Sequence, residues 1–205
     1  PDYSSAASDV YKRQISLCLF MFATSCSPGP NNVVASYSGF NFGILKTVPH
    51  MLGVIFGFTI LVTIKNFGLI NIFQKLPILQ EILKYAGSIF LLYLAYKISF
   101  SKNNPNNKND NPVKFIETFF FQFINPKSYI VAVIMISTYV ERGQNFMLYS
   151  LWVIGVAFLF AIISINFWTL IGKFLRRFAT NEKFIKRFNY AMSTLLVACI
   201  ATFYL

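Results

Sequence analysis

The sequence predicts an all-α integral membrane protein: six transmembrane helices arranged as two inverted three-helix repeats, with the first and fourth helices broken at proline. Three observations carry this. Of the 205 residues, 56% are hydrophobic, 18% aromatic and only 12% charged, and the mean hydropathy is positive, far from the balance of a soluble domain. At about 20 residues per helical crossing, the chain has room for six apolar segments and short loops, but not for a separate soluble domain. These segments fall three and three about a polar midpoint, and a proline-interrupted segment opens each half.

Residues 1–14, "PDYSSAASDVYKRQ", are polar and abut the first apolar run without transition. The piece "DVYKRQ" resembles the translation of a sequencing-adapter end, so residues 1–14 are set apart as a non-native or disordered segment, leaving 15–205 as one membrane domain. In an alternative, Lys12 and Arg13 open a signal peptide and "ATSC" is a lipoprotein cleavage site. That reading requires a soluble domain downstream, and none follows.

The first apolar segment runs from about Ile15 to Tyr37, interrupted by "CSPGPNN" at 26–32. The second covers about Leu45 to Ile64, and the third about Pro77 to Phe100. The Asn-rich stretch "SKNNPNNKNDNP" cannot be helical in lipid and divides a repeat at 15–100 from one at 115–205, with residues 101–114 as linker. The fourth segment, about Phe115 to Tyr139, is interrupted by Asn125, Pro126 and Lys127. The fifth spans about Phe146 to Leu170 and the sixth about Tyr190 to Leu205.

Basic residues set the orientation. With the N-terminus outside, the cytoplasmic connections carry Lys46, Lys97, Lys102, Lys108, Lys114, Lys173, Arg176, Arg177, Lys183, Lys186 and Arg187. The opposite side carries Lys65, Lys75, Lys84 and Arg142. This bias places both termini outside. It also accounts for the net charge of +11 without nucleic acid, since the cations lie in the gaps between apolar runs. Three spans per half is an odd number, so homologous halves enter the membrane from opposite sides, the inverted-repeat plan of many secondary transporters.

Paired interrupted segments point to a substrate site at the midplane. Pro28, Pro30 and Pro126 lack an N–H, so the carbonyls of Thr24, Cys26 and Gln122 lose helical partners and attract cations. Beyond each break a half-helix starts, near Asn31 and Asn32 or near Lys127 and Ser128, with unpaired N–H groups that attract anions. A zwitterion needs both kinds of partner within a few ångströms, and asparagine amides supply either. Lys127 is the only basic residue near the bilayer centre, where it costs roughly 2.5 to 3.5 kcal/mol. It is read as facing a polar cavity, contacting a carboxylate or changing protonation. The alternative is that it only caps backbone carbonyls at the break.

The stretch "SPGPNNVVASYSGFNFGILKTVPHMLGVIFGF" resembles the N-terminal signature of the lysine exporter and homoserine/threonine efflux (LysE/RhtB) family. "LKYAGSIFLLYLAYKI", "FIETFFFQFINPKSYIVAV" and "FNYAMSTLLVACIATFYL" are similar to its third, fourth and sixth segments. The resemblance spans nearly the whole chain from Ile15. It implies export of amino acids or related metabolites across the bacterial cytoplasmic (inner) membrane, driven by a proton or cation gradient. The family motif falls on Pro28, Gly29, Pro30, Asn31, Asn125, Pro126 and Lys127, and the residue reading adds Asn32 and Gln122 as substrate-binding candidates. The implied partners are a small-molecule substrate and the lipid bilayer; no cofactor and no metal are expected.

Other residues carry two readings each. His50, the only histidine, is a candidate for proton coupling beside Lys127, or it packs against the loop freed by Pro49. Gly53 and Gly57 allow helices to approach closely, either between the halves or between subunits of a homo-oligomer. Glu117 reads as an interfacial carboxylate. Asn166 lines the pathway or bonds a neighbouring helix.

Competing functions fit less well. A metal-cation exporter wants intramembrane carboxylates or thiolates, and Glu117 near an interface is the nearest approach. A thiol-disulfide electron relay wants a cysteine beside proline in both halves. Cys26 meets half of that, but Asn125 occupies the corresponding region of the other half. Cys18, Cys26 and Cys199 form neither a disulfide framework nor a metal-ligand spacing. No nucleophile has a base and an orienting acid in reach, so an enzyme is not expected.

Overall fold

A computed structural model describes residues 3–69, 77–100, 112–141, 143–201 and 203–204. The Asn-rich linker as far as residue 111, together with Lys75 and Arg142 of the charge pattern, lies outside the described residues. Among the described residues seven α-helices follow one another: α1 (Tyr3–Cys26), α2 (Pro30–Ile64), α3 (Pro77–Ser99), α4 (Phe115–Ile124), α5 (Pro126–Tyr139), α6 (Phe146–Leu175) and α7 (Glu182–Ala201). A π turn, Lys65–Leu69, extends α2, and a 3₁₀ turn, Arg176–Phe178, extends α6. No strand occurs among the described residues.

The breaks fall where proline dictates. α1 stops at Cys26, Ser27 to Gly29 leave the helical path, and α2 restarts with Pro30 at its first position, where a missing N–H is harmless. α4 and α5 are bent by 60° at Asn125, whose φ of −80° and ψ of 110° lie outside the helical region. Pro126 again takes the first helical position. α2 passes a further kink at Gly43, where φ is 77°, a conformation that glycine adopts at little cost. That kink separates the first two apolar segments of the sequence pattern.

Two ends differ from the hydropathy reading. α1 reaches back beyond Ile15, so the segment set apart over 1–14 is helical from Tyr3 onward. α7 starts at Glu182 and not near Tyr190. Its first two turns are charged, and only the buried face of Ile185, Asn189, Ser193 and Leu196, at helical spacing, marks them as helix.

By length and composition Pro30–Gly68 and Phe146–Phe178 are each able to cross a membrane, and the bent pair α4 and α5 qualifies as one broken span. Apolar side chains cover the exterior, such as Ile82, Ile89 and Leu92 on α3 and Leu151, Leu159 and Ile163 on α6. Such a surface belongs against lipid. The chain is a helical membrane protein.

α2 is the central element, packed along α6 and against α4, while α3 pairs with α7. One core cluster joins α1, the second half of α2, α5 and α6 through Leu17, Met21, Val54, Leu61, Met135 and Ile165. The other joins the first half of α2 to α3, α4 and α7 through Val34, Tyr37, Leu91, Leu94, Phe121 and Leu196. The two breaks lie where these cores meet. Backbones touch at two seams. A Cβ on Gly172 would sit 1.9 Å from the Ser36 carbonyl oxygen, and one on Gly39 2.2 Å from that of Thr169. Gly53 and Gly57 face Phe115, Thr118 and Phe119 of α4, so this pair serves packing within the chain.

Candidate functional site

The two breaks, a hundred residues apart in sequence, touch. From the start of α5, Lys127 reaches across to the other break, and its Nζ donates to both the carbonyl and the hydroxyl of Ser27, each at 2.8 Å. Its stem lies over Gly29, where a Cβ would come within 2.8 Å of Lys127 Cδ. The ammonium therefore does cap a break carbonyl, as the alternative reading held. An ammonium carries three N–H donors, so two bonds to Ser27 leave one for a ligand.

Beside this contact Asn31 and Gln122 pair through their amides. Asn31 Nδ2 donates to Gln122 Oε1 at 2.8 Å, and Gln122 Nε2 donates to Asn31 Oδ1 at 3.1 Å. Ser128 Oγ donates to the same Oε1 at 3.0 Å, and Gln122 Nε2 also reaches the Thr118 carbonyl at 2.9 Å. Behind the amide pair lies His50, only 1% exposed. Its Nδ1 is 2.9 Å from Thr118 Oγ1 and its Nε2 is 3.3 Å from the Asn31 carbonyl oxygen.

Of the carbonyls that proline spacing leaves without helical partners, Thr24 O accepts from the Ser27 hydroxyl at 2.8 Å. Donors from other elements gather on the neighbouring carbonyls of Ser25 and Ser27. Ser25 O accepts from Trp168 Nε1 at 2.9 Å, Asn32 Nδ2 at 3.3 Å and Ser164 Oγ at 3.3 Å. Ser27 O also accepts from Asn32 Nδ2, at 3.0 Å. The two half-helix starts differ too. Asn125 Oδ1 caps α5 by accepting from the Lys127 N–H at 3.2 Å. α2 has no side-chain cap, because Gly29 precedes it. Its first N–H groups keep their partial positive charge.

These groups border a cavity of about 80 Å³. Gly29, Pro30, Asn31, Asn32, Gln122, Asn125 and Lys127, all expected from sequence, line it together with Ser128. Pro28, Pro126, His50 and Asn166 do not. Pro28 is exposed, and the Asn166 amide donates to Ile162 O of its own helix at 2.9 Å. Thr24, expected for its carbonyl, and Ser164, a polar neighbour of Asn166, also line it, and Met21, Ser25, Val54, Phe58, Val131, Phe160 and Ala161, which sequence does not single out, complete the wall. Their spacing, such as Val54 with Phe58 or Phe160 with Ser164, is that of any helix face turned inward. Among the described residues Lys127 is the only charged one in the lining. Among the described residues no group of His, Cys, Asp or Glu is suited to hold a metal ion.

The chain that forms this paired kink is similar to known proteins. The family description "LysE type translocator" matches residues 22–204, nearly the whole chain. The chain belongs to the LysE-type translocator family. Similar curated proteins include the cysteine/O-acetylserine efflux proteins of Escherichia coli K12 and Shigella sonnei. Each is 27% identical over 184 residues, 88% of this chain and 91% of the relative. No solved structure matches. In this translocator the family match covers both breaks and the cavity wall on α6.

Proposed function

We propose that this LysE-type translocator exports small, uncharged amino acids and related zwitterions from the bacterial cytoplasm across the inner membrane. The observation that carries the reading is the joining of the two breaks by Lys127, the sole charge on a cavity otherwise lined by amides, hydroxyls and apolar side chains. The substrate carboxylate sits between the Lys127 ammonium and the uncapped start of α2, two positive groups that Gly29 allows to approach. The substrate ammonium faces Asn31 Oδ1 and Gln122 Oε1, which the amide pair exposes when it parts. The lining holds no carboxylate to balance a cationic side chain, which supports neutral substrates. The similar proteins named for cysteine and O-acetylserine support the same size class.

In this reading the chain crosses the membrane six times as two inverted repeats, α1 to α3 and α4 to α7, with both termini outside and the basic loops in the cytoplasm. Gradient coupling falls to His50 and Lys127. His50 joins Thr118 of α4 to the Asn31 carbonyl, so a proton on its ring alters the bonds that hold Asn31 at the cavity.

The test is uptake of labelled cysteine, serine and lysine into inverted membrane vesicles energised by a proton gradient. Uptake of cysteine or serine that Lys127→Ala abolishes is the expected result. Uptake of lysine alone, or full activity in Lys127→Ala, would overturn the assignment.

A further inference from the structure

Away from the cavity, the junction of α6 and α7 gathers the densest charge in the chain. Between residues 173 and 187 stand six cations, Lys173, Arg176, Arg177, Lys183, Lys186 and Arg187, against the single acid Glu182. All but Arg176 are exposed. Three phenylalanines lie among them and also face outward: Phe174 is 53% exposed, Phe178 55% and Phe184 38%. A soluble partner or a free anion has no use for three bare rings. Cations interleaved with exposed aromatics at the end of an apolar span fit the headgroup level of a membrane.

The patch is built and not merely charged. The Arg176 guanidinium carbon stands 5.3 Å from the ring centroid of Phe40, a side chain of α2 that is 1% exposed. Phe40 in turn stacks on Phe188 of α7 at 3.9 Å and on Phe184 at 6.4 Å. Asn41 Nδ2 donates to Asn189 Oδ1 at 2.9 Å beside them. Arg177 lies 5.9 Å from the Phe174 ring. The arginines on the turn are thus held by aromatic faces, with their N–H edges left to reach a phosphate.

We propose that this face binds the phosphodiester headgroup of an anionic phospholipid, with the acyl chains lying along Phe174, Phe178 and the apolar flank of α6. The proposal is independent of the transported substrate. Because Phe40 and Asn31 stand on the same arm of α2, before the kink at Gly43, an occupied headgroup site braces the helix that borders the cavity.

The experiment reconstitutes the full chain in phosphatidylcholine vesicles and in an equimolar mixture with phosphatidylglycerol. Spin-labelled phosphatidylglycerol and phosphatidylcholine report the fraction of each immobilised at the protein. The wild type should prefer the anionic label severalfold, and Arg176→Gln, Arg177→Gln and Arg187→Gln should each lower that preference, by up to about fivefold per cation. Lys46→Gln, Lys97→Gln and Lys114→Gln, which neutralise cations outside the patch, should lower it far less. Equal preference for both labels in the wild type overturns the proposal without any variant, so a variant that fails to insert leaves it decided. Equal losses from both sets show a diffuse field and overturn the site. Displacement of the label by inorganic phosphate, or capture of nucleic acid in place of lipid, overturns the assignment of the ligand.

Discussion

Lys127 and Ser27 meet at the centre of the fold, the lysine ammonium donating to both oxygens of a serine exactly one hundred positions earlier in the chain. Charge-assisted bonds of this kind are stronger than neutral ones, and here they tie the two interrupted segments together. Replacing Lys127 by Met keeps the stem over Gly29 and removes the charge. Vesicle uptake should fall at least tenfold while the amount in the membrane stays close to wild type. The lost bonds, worth about 1.5 to 3 kcal/mol, are offset by the roughly 2.5 to 3.5 kcal/mol saved in inserting an uncharged side chain.

The amide pair predicts coupling between Asn31 and Gln122. Each single alanine variant leaves the other amide with unmet hydrogen bonds, at about 1 to 3 kcal/mol. The double variant should cost less than the sum of the two, by about 0.5 to 3 kcal/mol. Thermal unfolding of the four detergent-purified proteins checks this, and strict additivity would contradict the pairing.

Glycines should divide into two classes. Gly172→Ala drives a methyl into the Ser36 carbonyl, which is backbone and cannot swing aside. It should destabilise by about 1 to 3 kcal/mol or more. Gly155→Ala, on the same helix with nothing within 4 Å, should be neutral or stabilise by up to about 1 kcal/mol. Thermal midpoints measured by size-exclusion chromatography after heating separate the two.

Cys26→Ser tests the redox alternative. Cys26 is exposed and outside the cavity lining. Uptake should remain within about twofold of wild type, since a small exposed side chain with no partner carries little energy. Loss of activity would restore the electron-relay reading.

The sequence reading located both breaks because proline acts locally: its missing N–H and fixed φ act on residues one to four positions away. Pro30 and Pro126 each start a helix as that argument requires. Which side chains meet the neighbouring carbonyls depends on donors brought in from elsewhere. Trp168 and Ser164 reach Ser25 from well over a hundred residues away, and no spacing rule contains them. The start of α7 was missed for another reason. Its first turns are charged, and a hydropathy window sees Lys183, Lys186 and Arg187 before it sees Ile185 and Asn189 turned inward. His50 stands out in sequence as a lone titratable group, but its place behind Asn31 follows only from the turn of α2 at Gly43 and the packing of α2 against α4.

The bare start of α2 beside the capped start of α5 gives the pair of breaks a head and a tail. Where both half-helices carried the same cap, a bound molecule could lie either way round. With Asn125 filling one socket and only Gly29 before the other, the proposed dipolar guest would have a single upright posture. On that proposal it would pass like a key that fits its slot from one side alone, its side chain turned toward the same wall.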